Sequence, residues 1–196
     1  MAKSKSMSKE QITKLAITGI LTALVIVLQL MGSFIKFGPF SVSLVLIPII
    51  VGAALAGPYV STWLGFVFGV VVLLSGDAAA FMAISIPGTI ITVLLKGMLC
   101  GLMAGLVFTV QKKMNTYLTV VFASIICPVT NTGIFLLGCR LFFYDAISAW
   151  GAGAGFTNTF IYMIAGLVGL NFVFELVIDI IFCPAIVRVV NAIKKQ

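Results

Sequence analysis

The sequence predicts an all-α integral membrane protein: a bundle of six transmembrane helices, both termini cytoplasmic, forming a single membrane domain over residues 1–196. Three observations carry this. Hydrophobic residues make up 62% of the chain and charged ones only 9%, and no soluble fold of this size hides that much apolar side chain. The apolar residues fall in long runs, each close to the ~20 residues that span a bilayer as a helix. The basic residues gather where those runs turn on one side.

The spans follow in order. Helix 1 is predicted over about 12–31. Helix 2, over about 42–56, is short and holds Pro48. The "AGP" turn at 56–58 puts Pro58 in the first turn of helix 3, where its missing N–H costs nothing; that helix runs to about Leu74. "SGDAAAFMAIS" is a longer loop with room for a short helical piece. Helix 4 starts near Pro87 and ends near Val110, "QKKMN" is a basic turn, and helix 5 covers about 118–143 with Pro128 inside. "YDAISAWGAGAGFTN" is expected as the longest loop, before helix 6 over about 159–190.

With six spans, both ends of the chain share a side. Lys3, Lys5, Lys9 and Lys14 at one end, Arg188, Lys194 and Lys195 at the other, and Lys112 and Lys113 in the basic turn make nine of the twelve basic residues. The bias of Lys and Arg toward cytoplasmic loops makes that side the inner one. The net charge of +7 therefore reads as topology, with no nucleic acid implied. Lys36 and Arg140 fall in or near outward loops, and Lys96 falls within helix 4. No signal peptide is expected, because the polar, basic N-terminus leads into a full span with no small-residue cleavage site.

An ionisable group in hydrocarbon costs roughly 2.5–3.5 kcal/mol, so each needs a partner or a wet recess. Ser85, Thr89, Thr92 and Lys96 share one face of helix 4. On helix 6, "GLNFVFELVID" carries Asn171, Glu175 and Asp179 four residues apart, a stripe drifting about 40° per step. Asn131 sits one turn past Pro128, and Thr18, Thr22 and Gln29 form a weaker stripe on helix 1. Two readings stand open: an ion pair that fixes packing, or an outward-opening polar cavity lined by Lys96, Asn131, Asn171 and Glu175. Asp179 is expected deeper, toward the inner headgroups or a partner protein. Arg140 contacts a ligand if helix 5 deforms near Gly133 or Gly138, and otherwise snorkels at the helix end. Trp150, with Tyr144 and Phe156, forms either a lid or an interfacial anchor; Tyr59 and Trp63 read as belt residues. Ala16, Gly19 and Ala23 give helix 1 a small-residue face that admits close approach of another helix.

No nucleotide-binding loop, zinc-protease or serine-hydrolase motif is present, and histidine is absent. Neither catalytic residue, metal site nor cofactor is expected, so the chain does not read as an enzyme. Cys100, Cys127, Cys139 and Cys183 lie in or beside apolar runs without metal-ligand spacing and read as small buried hydrophobes.

The whole chain resembles the substrate-binding S component of an energy-coupling-factor (ECF) vitamin transporter. The resemblance rests on the small face at "GILTA", on "FGPFSVSLVLIPIIVGAALAGPYVSTWLGFVFGV" across helices 2–3, and on "LLKGMLCGLMAG" and "PVTNTGIFLLG" in helices 4 and 5. It departs from the usual Ala-xxx-Ala face by having Gly19 first. The resemblance implies a multi-pass protein of a bacterial plasma membrane that binds a water-soluble vitamin near the outer face. It implies docking through Ala16, Gly19 and Ala23 onto a transmembrane coupling protein carrying two ABC ATPases, which accounts for the missing nucleotide motif. The implied ligand-binding set is Lys96, Asn131, Asn171, Glu175 and Thr92, with Arg140 and Trp150 at the loop ends. A cation facing amides suits a small carboxylate such as pantothenate; riboflavin, a pyridoxine-type vitamin and niacin stay open. A stand-alone channel or secondary transporter for a small polar solute is the rival class.

Overall fold

The computed structural model describes residues 8–33, 36–37, 40–41, 44–111 and 114–194, with backbone alone for 36–37, 40–41 and 194. Lys3, Lys5, Lys112, Lys113, Lys195 and the predicted start of helix 2 at Val42 lie outside the described residues, as do the side chains of Lys36 and Lys194.

In chain order the helices are α1 (Lys9–Gly32), α2 (Leu46–Ala56), α3 (Pro58–Leu74), α4 (Ala79–Met82), α5 (Ile86–Val110), α6 (Thr116–Phe142), α7 (Tyr144–Gly153), α8 (Thr159–Ile161) and α9 (Leu170–Lys194). A π-helical stretch, Tyr162–Gly169, joins α8 to α9 without a break. Two short strands, β1 (Lys36–Phe37) and β2 (Phe40–Ser41), pair antiparallel after α1.

Local signals explain the boundaries. Ser8 caps α1 in a reciprocal box with Gln11. Gly57, at φ 88°, turns the chain sharply between α2 and α3, a conformation few residues other than glycine adopt. Pro58 then sits in the first turn of α3, as Pro87 does in α5 behind the Ser85 cap. Asn115 caps α6.

Three helices, α1, α5 and α6, are long and apolar enough to cross a membrane, and α9 has 25 residues. The second predicted span is shorter than a crossing. At 11 residues, α2 is about 16 Å long against ~30 Å of hydrocarbon. It is buried along most of its length and acts as a central pillar around which the longer helices gather.

The closest packing joins α3 to α5. Ser61, Gly65 and Gly69 recur every fourth residue on α3, and Gly97, Gly101 and Gly105 do so on α5. A Cβ built at Gly65 would overlap the Gly97 carbonyl, and one at Gly101 would overlap the Ser61 carbonyl. The backbones touch because no side chain separates them, the arrangement that drives helix association in lipid.

Two apolar clusters result. The larger runs through α1, α2, α3, α5, α6 and α9 and holds Leu46, Ile49, Leu64, Phe68 and Ile186. The smaller groups Phe81, Phe135, Phe143, Ile147 and Leu167, with Trp150 and Tyr162 packed against it.

One expectation is corrected here. The segment predicted as the longest loop is helical over Tyr144–Gly153, and Ile147 and Gly151 are buried. Their spacing makes a short amphipathic face that packs on the smaller cluster.

Candidate functional site

Between the two clusters lies a cavity of about 60 Å³, measured as space open to the centre of a water molecule. That holds several waters, each needing about 10–15 Å³ by this measure. Six elements contribute walls: α1, α3, the α3–α5 connection, α5, α6 and the last helix.

The polar wall assembles from residues far apart in the chain. Thr89, Thr92 and Lys96 come from one face of α5, Asn131 and Thr132 from α6, Asn171 and Glu175 from α9, Gln29 from α1 and Asp77 from the connection after α3. Asn171 Nδ2 donates to Glu175 Oε1 at 3.1 Å, one helical turn away. Gln29 Nε2 donates to Asp77 Oδ2 at 2.7 Å, and the Ser33 hydroxyl donates to the same oxygen at 2.8 Å. Gly76, at φ 81°, reverses the chain immediately before Asp77.

Lys96 projects between two rings. Its ammonium lies 5.4 Å from the centroids of both Phe68 and Phe135, within cation–π range. It is half-buried and shares the cavity with two carboxylates, Glu175 and Asp77. The roof is aromatic. The Phe81 ring stands edge-on to Phe135, Phe143 and Trp150, with centroids 5.5, 5.1 and 5.7 Å away.

Four buried polar atoms of the lining find no hydrogen-bond partner among the described residues: Gln29 Oε1, Thr92 Oγ1, Asn131 Oδ1 and Asn171 Oδ1. Leaving such a group unsatisfied costs about 1–3 kcal/mol. Four of them around one void make a chamber built for a polar occupant. The hydroxyl of Thr89 is different, since it donates to the Ser85 carbonyl at 2.7 Å within its own helix.

Of the residues singled out in the sequence, Lys96, Thr92, Asn131, Asn171 and Glu175 meet at this cavity. Arg140 does not line it: α6 runs unbroken through Gly133 and Gly138, and the Arg140 side chain rests 4.2 Å from the Tyr144 ring centroid on the outer surface. Trp150 stands behind Phe81 and does not reach the void. Asp179 is buried deeper in the bundle, near Ser124 and Cys183, whose thiol contacts the Ser124 hydroxyl and the Asp179 carbonyl.

Asp77, Thr132, Phe68, Phe81, Phe135 and Phe143 are among the cavity residues the sequence reading missed. One signal pointed to Asp77: it is among five acids in 196 residues and lies in a connection between two apolar runs. Sixteen phenylalanines offered no way to sort cavity rings from lipid-facing ones.

Ala16, Gly19 and Ala23 are all exposed on α1, and a Cβ added at Gly19 meets nothing within 4 Å. Trp63, expected at the membrane edge, also donates to the Thr22 hydroxyl at 3.3 Å and so tethers α3 to α1.

An apolar helical bundle with a small polar chamber inside it has the form of a membrane protein that takes up a solute. Residues 13–187 match the family described as ECF transporter, substrate-specific component, and the chain belongs to that family. It is thus a substrate-specific subunit of an ECF transporter, a multi-pass membrane protein that binds a small ligand and works with an ECF module. Such subunits are transporter parts rather than enzymes. Neither the curated proteins nor the solved structures gave a match.

Proposed function

We propose that this subunit captures a water-soluble vitamin or its precursor in the Lys96 cavity and passes it inward after docking on a transmembrane coupling protein with two ABC ATPases. In this reading six helical segments, the short α2 buried among the other five, carry the chain through the plasma membrane of a bacterium, with both termini in the cytoplasm and the cavity opening toward the outside. The observation that carries it is the set of four unpartnered polar atoms around one void. Polar groups are expensive in a membrane domain, and an intact structural network would have satisfied them.

The ligand best suited is a small carboxylate bearing hydroxyl and amide groups, with pantothenate the leading candidate. Its carboxylate would pair with Lys96, and its hydroxyls would donate to Glu175 and Asp77. Its amide would complement Thr92, Asn131 and Asn171, each of which carries one buried polar atom without a partner among the described residues. Pockets for ligands of this class occupy roughly 300–1,000 Å³, well above the 60 Å³ found. Binding therefore requires the roof to lift, and Phe81 with Trp150 behind it is the part that moves. Trp150 serves as a lid brace, while Arg140 is not part of the ligand set.

Docking uses the open small-residue face of Ala16, Gly19 and Ala23. The test begins with mass spectrometry of the small molecules that co-purify with the protein. Binding of pantothenate and the other vitamins is then measured for the chain alone, and uptake is measured in proteoliposomes with and without the ECF module. Tight binding with ATP-dependent uptake only in the presence of the module is expected. Uptake by the chain alone would replace this reading with a stand-alone transporter.

A further inference from the structure

A second concavity lies on the outside of the bundle, and ligand capture makes no use of it. Gly133, Leu136, Leu137 and Arg140 recur at helical spacing and form one stripe along α6. Phe160, Met163 and Ile164 face them from the last helix, the latter two within its π-helical stretch. The groove between them offers about 300 Å³ by the measure used for the cavity. At Gly133 the groove is open enough that an added Cβ would meet nothing within 4 Å. From Gly133 to Arg140 the trough is about 10 Å long, at 1.5 Å per residue.

Arg140 is the charge at one end of this trough. Among the described residues its guanidinium has a ring contact with Tyr144 but no hydrogen bond or ion pair. Its surroundings are greasy: Leu137, Leu141, Phe160, Ile161 and Ile164 are each more than half exposed, from 54% to 66%. Such a surface faces acyl chains in a bilayer. A packed helix would want small residues on a flat face, whereas bulky Leu, Phe and Ile walls around a trough fit a flexible chain.

We infer that this groove is a binding site for an anionic phospholipid, with the headgroup phosphate on Arg140 and one acyl chain laid along Gly133, Leu137 and Ile164. An arginine presents a planar fork of donors that matches two phosphate oxygens at once. The site also explains why one arginine stands at the outer end of α6, away from both the vitamin cavity and the predominantly basic inner side.

The test uses the full chain in detergent after delipidation. Phosphatidylglycerol and phosphatidylcholine with the same acyl chains are added in steps. Native mass spectrometry then counts retained lipid, and thermal unfolding is recorded alongside. The wild-type protein retains one phosphatidylglycerol about tenfold more tightly than phosphatidylcholine. R140Q removes that preference, R140K keeps part of it, and Gly133→Leu, which fills the trough, removes retention of both lipids. If R140Q does not fold, Gly133→Leu still decides, because its added side chain enters open space. Equal retention of the two lipids by the wild type, or unchanged retention in Gly133→Leu, overturns the proposal. Stabilisation by inorganic phosphate alone to the same extent also overturns it, leaving an anion site without a chain. Loss of assembly with the ECF module in these variants at unchanged lipid retention would hand the groove to a protein helix instead.

Discussion

Two stripes of small residues run along this molecule, and they are used in opposite ways. On α3 and α5, Gly65, Gly69, Gly97, Gly101 and Gly105 are closed so tightly against the facing helix that a single methyl would overlap a backbone carbonyl or α-carbon at most of them. On α1, Ala16, Gly19 and Ala23 have the same kind of spacing, yet they are exposed and a methyl at Gly19 touches nothing. In hydrocarbon no hydrophobic force drives helices together, so close backbone approach is what makes a contact worth forming. A stripe already filled from within the chain is architecture. A stripe left empty is available to something outside it.

The strongest way to break this comparison is at Gly97. A Cβ there overlaps the Gly65 carbonyl, which belongs to backbone and cannot rotate away. Overpacking a core typically costs about 1–3 kcal/mol and sometimes more; with backbone on both sides, Gly97→Leu is expected at or above the top of that range. Thermal unfolding in detergent should show a large drop or no folded protein at all. A variant that unfolds within a degree or two of the wild type would mean that α3 and α5 are not packed as described.

Much of the architecture was readable beforehand, because its signals are local. Pro58 and Pro87 each mark a helix start, and the apolar runs for α1, α3, α5 and α6 end within a few residues of where the helices do. The Lys96 face of α5 and the Asn171–Glu175 stripe of α9 were legible for the same reason: helical periodicity places side chains on a face whatever the tertiary fold. Hidden features depend on which faces meet. The α3–α5 glycine contact needs two stripes 32 residues apart to come into register, as Gly65 and Gly97 do. Asp77 sits in a connection, where periodicity says nothing, and only folding brings it to Gln29 and Ser33 of α1. The helix at Tyr144–Gly153 read as loop because Gly151, Gly153 and Gly155 outweighed a buried face of only two residues.

Next in size is the effect of Lys96→Met on ligand. In the proposed site Lys96 makes a charge-assisted bond, and its loss weakens vitamin binding by ~1.5–3 kcal/mol, about 10- to 150-fold in Kd. Neither glycine stripe is touched, so folding and assembly with the ECF module should persist. Unchanged affinity in a folded variant would remove Lys96 from the ligand contacts. Asp77→Asn has a smaller effect of another kind. It keeps an acceptor for Gln29 and Ser33 but removes the charge, so about 1 kcal/mol of stability is lost. Hydrogen exchange should then quicken at the end of α1 near Gln29 and Ser33 while the α3–α5 contact stays protected. Equal loosening of α3 and α5 would show that the glycine contact depends on this anchor.

The smallest expected change in stability is at Gly19. Leucine there enters open space and replaces a poor helix former with a good one, so folding should shift by less than about 1 kcal/mol, in the stabilising direction. The outcome is therefore the reverse of Gly97→Leu, although both substitutions place the same side chain on a small-residue stripe. What Gly19→Leu should lose is assembly: co-purification with the coupling protein and ATPases falls away while vitamin affinity holds. The two readouts separate the possible failures. If assembly survives the bulky side chain, the empty stripe on α1 is not the docking face. If vitamin affinity falls along with assembly, α1 couples the small-residue face to the cavity, whose wall includes Gln29 of the same helix.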